Sequence, residues 1–224
     1  MLKAVLISAL VLSVAATIEM PQKGEGFVEI DLSTITDMPV HYLILNQIHN
    51  RCNNYMFKCN QEKLKEYTKI INDYMAYFIR WSSHVNPLSL NARYMAISSL
   101  VKNAFHPLGF VGFYLVELIG HEERLEIGPY ASNITATPII ALGKGVCGES
   151  WQRRETMIVG DVTQHPNYIA CDEVTMSEIV VPHFQNGKVR SVFDIDAEVK
   201  QYFDETDKML VQQLRKFLPG AVDR

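Results

Sequence analysis

The chain has 224 residues, an apolar fraction of 48% and a formal net charge of −4, with Lys and Arg scattered among Asp and Glu. This allows one sizeable core, excludes a disordered chain and leaves no basic footprint for nucleic acid. The four cysteines show no CxxC spacing and no His cluster completes a ligand set, so neither a dense disulfide scaffold nor a structural metal is expected.

Met1-Leu2-Lys3 is a short basic start, Ala4 to Val14 an apolar run, and Ala15-Ala16-Thr17 a set of small residues. That is the order of a secretory signal over residues 1–16, and the run is too short for stable membrane insertion. The alternative is an apolar N-terminal helix packed on the body. A used signal sends the protein to the secretory pathway or the extracellular space. In that oxidising setting Cys52 and Cys59 can bridge a short loop, and Asn133-Ile134-Thr135 becomes a glycosylation acceptor. Residues 17–60 are a partly irregular extension, since Met20 to Val40 carries Pro21, Gly24, Gly26 and Pro39 without a sustained period.

Residues 61–220 form the main domain. From Gln61 to His84, Leu64, Tyr67, Ile70, Ile71, Tyr74, Met75 and Phe78 recur at helical spacing, with Trp81 near the end. Asn86-Pro87 breaks this helix, Ser89 caps a second, and Tyr94, Ile97, Leu100, Val101 and Phe105 make its stripe. After His106-Pro107 the pattern becomes extended. Strands are expected at Phe110 to Val116, Arg124 to Ile127, Thr137 to Leu142, Thr156 to Val159, Glu178 to Phe184 and Val189 to Ile195. Asn186-Gly187 marks a hairpin turn between the last two. Asp204 caps a closing helix with Asp207 in its first turn and Met209, Leu210, Leu214 and Phe217 buried. Sheet in the middle and helices at both ends give an α+β class.

Three segments carry chemistry. In Gly143-Lys144-Gly145-Val146-Cys147-Gly148, two glycines lead from a strand into a helix, placing Cys147 where free N–H groups favour a thiolate. A phosphate loop fails on spacing; a buried Cys that fills space beside the helix start is the other reading. In Tyr168-Ile169-Ala170-Cys171-Asp172-Glu173, the cysteine lies on a long polar loop following Asp161, His165-Pro166 and Asn167, so Cys171 is expected to be accessible. Glu178 follows at the edge of an apolar strand, where desolvation raises a carboxyl pKa, unless it is a solvated strand end. In Phe193-Asp194-Ile195-Asp196, period two puts both acids on one face, so at least one can hold a proton near neutrality. Paired acids suit proton delivery, and calcium or magnesium needs more oxygen ligands than they supply; a solvated strand end is the plain alternative.

The collinear order of Gly-Lys-Gly-Val-Cys-Gly, Tyr-Ile-Ala-Cys-Asp, Ser-Glu-Ile-Val and Asp-Ile-Asp, preceded by Gly112-Phe113-Tyr114 and Ile127-Gly128-Pro129-Tyr130, resembles the free methionine-R-sulfoxide reductases, a GAF-fold family. The resemblance runs from about Gly109 to Leu218. It implies a GAF-like six-stranded antiparallel sheet flanked by N- and C-terminal helices. It further implies reduction of free L-methionine-R-sulfoxide to methionine, with Cys171 attacking the sulfoxide sulfur and passing through a sulfenic acid. Glu178, Asp194 and Asp196 would bind the substrate amine and protonate the departing oxygen, while Tyr114 and Phe110 would wall the pocket. The resemblance implies no bound cofactor and an external thiol reductant such as thioredoxin; a homodimer is left open.

Two departures matter. Where relatives carry a further resolving cysteine, this chain reads Thr135-Ala136-Thr137-Pro138, which leaves Cys147 or an external thiol to resolve the sulfenic acid. Where relatives have a Trp, this chain has Phe110, a smaller apolar face for a methyl thioether. Relatives are cytosolic, whereas an oxidising lumen would favour the disulfide and stall the cycle. Two further readings stand beside the enzyme: a GAF module that binds an amino acid without turnover, and a secreted protein with a structural Cys147–Cys171 disulfide.

Overall fold

The computed structural model describes residues 44, 47, 48, 50–52, 59–81, 88–169 and 173–218. The leader, the irregular arm, the Asn86-Pro87 break and Cys171 lie outside the described residues. Two helices open the main body, α1 (Gln61–Trp81) and α2 (Leu90–Ala104), with Ser89 capping the second through a bond from the Ala92 amide. Strands β1 (Leu108–Ile119), β2 (Glu122–Ser132) and β3 (Ile139–Ile140) follow, then α3 (Gly145–Arg153), β4 (Met157–Val159), β5 (Ser177–Gln185), β6 (Lys188–Ala197) and α4 (Glu205–Leu214). Among the described residues no helix is long and apolar enough to cross a membrane.

The strands form a six-stranded sheet in the order β3-β2-β1-β6-β5-β4, antiparallel at every pairing. Hairpin β5–β6 turns at Asn186-Gly187, where φ values of 50° and 75° meet the demand that made this dipeptide a turn signal. The third strand is shorter than its sequence suggests. Pro138 has no N–H to give a ladder, and only its carbonyl joins, accepting from the Ile127 amide at 3.0 Å.

Strand alternation divides the core into two layers. On one face Val111, Phe113, Ile179, Val181, Phe193 and Ile195 pack under α1, α2 and α4. The aromatic ladder there is continuous: Tyr94 to Phe113 is 4.2 Å between ring centroids, and Phe113 to Phe193 is 4.3 Å. On the other face Phe110, Tyr114, Val180 and Val192 meet Val146, Cys147 and Trp151 of α3.

The helical face is tied down at both ends. Asp204 and Asp207 form a capping box at the start of α4, and Lys63 of α1 pairs with both carboxylates and donates to the Tyr202 carbonyl at 2.7 Å. Cys52 and Cys59 are joined in a disulfide with Cα atoms 5.2 Å apart. Asn133 is exposed in the bend after β2.

A buried polar chain crosses the helical layer, from the Tyr94 hydroxyl to Ser191 Oγ at 3.0 Å and on to His183 Nδ1 at 3.4 Å. Burial, helped by Arg215 and Arg190, pushes His183 from 6.5 down to about 4. The folded protein refuses a proton that the unfolded chain accepts. Stability is therefore fully present above pH 6.5 and falls as pH drops from there to about 4, by about 3 kcal/mol at 1.36 kcal/mol per unit. Urea unfolding across this range should show the limb in wild type and its loss in His183→Gln. Parallel pH profiles for the two proteins would contradict it.

Candidate functional site

The site is assembled at one end of the central strands. In β6, Asp194 and Asp196 follow Val192 on the face opposite the helical layer, and β5 sets Val180 beside Asp194 and Glu178 directly across from Asp196. Like charges opposite one another across a ladder are unfavourable. All three are nevertheless buried, Glu178 at 5%, Asp194 at 4% and Asp196 at 5% of full exposure. The plain alternative of solvated strand ends is thereby removed.

Helix α3 closes the site from above. Gly143 and Gly145 both have positive φ, 73° and 59°, so the chain turns sharply out of β3 into the helix. A Cβ on Gly148 would lie 2.4 Å from the Ala141 carbonyl oxygen, so a glycine is needed for the helix to sit this close. The result is Cys147 as a free, buried thiol with Sγ 4.0 Å from Glu178 Oε1.

The helix start does not make Cys147 a thiolate, as the sequence led us to expect. Burial pushes its thiol well above the usual value, and the carboxylates of Asp194, Glu178 and Asp196 raise it further. Desolvation and three acids from β5 and β6 outweigh the field of the helix N-terminus, which is worth about 0.3–1 kcal/mol.

A small cavity is lined by Ile140, Gly145, Val146, Cys147, Tyr168, Ile169, Glu178, Asp194 and Asp196. No cationic side chain is among them. Phe110 and Tyr114, expected to wall the pocket, belong to the same buried cluster as the lining residues Ile140, Val146 and Cys147, with Phe110 stacked on Tyr130 at 5.5 Å. A Cβ on Gly112 would meet Tyr130 and the Phe110 ring at 2.4 and 2.7 Å, so this glycine lets the two rings close over the strand. Cys171 lies outside the described residues; the loop enters it past Tyr168 and Ile169, which do line the cavity.

One anchoring group escaped the sequence reading. Glu149 of α3 accepts from Asn167 Nδ2 at 3.0 Å, lies 3.1 Å from His165 Nε2, and pairs with Arg153 at 3.2 Å. Burial alone would raise its pKa, but the bonds from Asn167 and His165 and the charge of Arg153 bring it below the usual value. The Asn167 carbonyl in turn accepts a bond from the Gly145 amide at 3.0 Å. The loop before Cys171 is thus clasped to the helix that carries Cys147. A carboxylate two residues after Cys147, with His and Asn on the next polar loop, was the available signal.

No family model matches the chain. It is 40% identical over 126 residues to the free methionine-R-sulfoxide reductase of Saccharomyces cerevisiae, a match covering 54% of this chain and 69% of that protein. It is similar to the free methionine-R-sulfoxide reductase of Neisseria meningitidis, solved with its substrate, at a TM-score of 0.61 and 32% identity over 71% of this chain and 89% of that one. A GAF sensor protein from Burkholderia vietnamiensis aligns with the same TM-score, 0.61, at 33% identity over 71% and 95% of the two chains.

Burial pushes Asp194 from 3.8 up to about 6 against the bonds from Cys147 and Glu178. Its contribution to stability is full below pH 3.8 and is lost as pH rises through about 6. Asp194→Asn keeps the shape without the charge. Urea denaturation should show the variant more stable than wild type at neutral pH by roughly 1–3 kcal/mol, the difference vanishing in acid. A variant no more stable than wild type at pH 7 would contradict this.

Proposed function

The chain belongs to the free methionine-R-sulfoxide reductase family, and on that premise we propose that it reduces free L-methionine-R-sulfoxide to methionine with Cys171 as nucleophile. The observation that carries the reading is the gathering of three buried carboxylates around one cavity that, among the described residues, has no cationic side chain in its lining. Such a cavity suits the ammonium group of a free amino acid, which supplies the missing positive charge. Glu178 and Asp196 hold that group. Asp194, whose carboxyl is pushed up to about 6, exchanges a proton close to neutrality and in its protonated form passes one to the sulfoxide oxygen.

The Cys171 thiolate attacks the sulfoxide sulfur. The sulfoxide is reduced to the thioether as its oxygen transfers to Cys171, which is oxidised to the sulfenic acid; methionine leaves. Cys147 is held as a thiol by burial, so it does not compete for the sulfoxide and is reserved for resolution. Its attack on the sulfenic acid forms a disulfide and releases water, and a thioredoxin-like dithiol reduces that disulfide. The Cys52–Cys59 disulfide supports the secretory reading of the leader, since such bridges persist in oxidising compartments.

The test is a single turnover of the pre-reduced protein with free methionine-R-sulfoxide. About one methionine per chain should form in wild type and in Cys147→Ser, with none in Cys171→Ser, while thioredoxin-driven turnover is lost in Cys147→Ser. If wild type forms no methionine yet binds it, the chain is an amino-acid-binding GAF module and the enzymatic reading fails.

A further inference from the structure

We infer that the cavity is also a binding site for a borderline divalent metal ion of the zinc and cadmium class, held by Cys147, Glu178 and Asp194. These residues come from α3, β5 and β6, so no spacing in the sequence announces the set. Cys147 Sγ and one oxygen from each carboxylate lie within 4.8 Å of one another, all three residues buried. The Sγ to Glu178 Oε1 distance is 4.0 Å. Ligands at about 2.3 Å for sulfur and 2.0–2.2 Å for oxygen stand roughly 3.5 Å apart around a tetrahedral ion. The side chains need to draw inward by about 1 Å at most.

A second observation points to a ligand independently. Although Cys147 and Glu178 lie against the Asp194 carboxylate, its Oδ1 atom is fully buried with no hydrogen-bond partner, and the residue lines the cavity. A buried acceptor left with free lone pairs is costly, and a cation bound there would satisfy it. Among the described residues the cavity lining offers no Lys, Arg or His to do so.

The thiol decides which cation. Calcium and magnesium take shells of six or more oxygens, and this set has three protein ligands, one of them sulfur. Thiolate and carboxylate ligands together suit zinc and cadmium, and three protein ligands with a fourth position facing a cavity is an arrangement zinc accepts. On binding, the thiol proton is exchanged for the metal and released to buffer; the S–H bond breaks, the S–metal bond forms and no electrons are transferred. An ammonium group uses the carboxylates alone, so a metal–sulfur bond separates this inference from the proposed turnover.

The experiment uses the full chain carrying Cys171→Ser with the Cys52–Cys59 disulfide intact, which leaves Cys147 as its free thiol. Cadmium is titrated in and the ultraviolet charge-transfer band of a cadmium–thiolate bond is followed. The band should saturate at one ion per chain and be displaced by zinc. Adding Asp194→Asn, which keeps the thiol, should weaken binding at least about tenfold, since even outer-shell losses cost metal sites 10–100-fold. Absence of the band would overturn the inference. So would unchanged affinity in Asp194→Asn, which would mean that the thiol binds cadmium without the carboxylates.

Discussion

Glu178, Asp194 and Asp196 are buried together at one end of the sheet, and the rest of the site follows from that burial. Glu178 faces Asp196 across the β5–β6 ladder, and Asp194 lies one pleat further along the same face. In water three carboxylates would all be ionised and would repel one another only weakly. Out of water each charge costs several kcal/mol, and the sheet fixes the groups too rigidly for them to separate. Asp194 answers by keeping its proton to about pH 6, and Cys147 by remaining a thiol. One desolvated cluster therefore sets the state of an acid and of a thiol, and its unmet demand for a positive charge suits a zwitterionic amino acid or a metal ion.

The cluster survives because its surroundings are well determined. One face of the sheet is packed by three helices through the Tyr94, Phe113 and Phe193 stack, and the other by α3, which Gly148 allows to sit against the Ala141 carbonyl. Glu149, with His165 and Asn167, then fastens the loop that leads to Cys171. Rigid strands carry the acids, while under the proposed function the sulfur chemistry falls to the segment that follows this clasp. This division suits a reaction in which one thiol must change partners and the proton donors must not move.

Features governed by local rules were legible in the sequence. Period two put Asp194 and Asp196 on one face, Asn186-Gly187 specified the hairpin, and Asp204 with Asp207 capped the last helix. Features governed by distant groups were not. The helix start at Cys147 argued for a thiolate because the sequence could not show Glu178 and Asp194 arriving from other strands. Ile140, Val146, Tyr168 and Ile169 line the cavity without any signal in the sequence, because a cavity's boundary depends on how α3 and the loop settle. The third strand shrank to Ile139–Ile140, where an edge position and Pro138 override its β-rich composition.

The most direct test of the electrostatic basis of the site is to measure, by calorimetry on the Cys171→Ser chain, the binding of free methionine beside that of N-acetylmethionine. The two share the thioether and the carboxylate, and only the first carries an ammonium charge. If the buried carboxylates select for that charge, N-acetylmethionine binds roughly 10²–10³-fold more weakly, the loss expected when a buried ion pair is left without its cation. Equal affinity for the two would show that the acids do not hold the amine and would contradict the reading of this cavity as a free-amino-acid site.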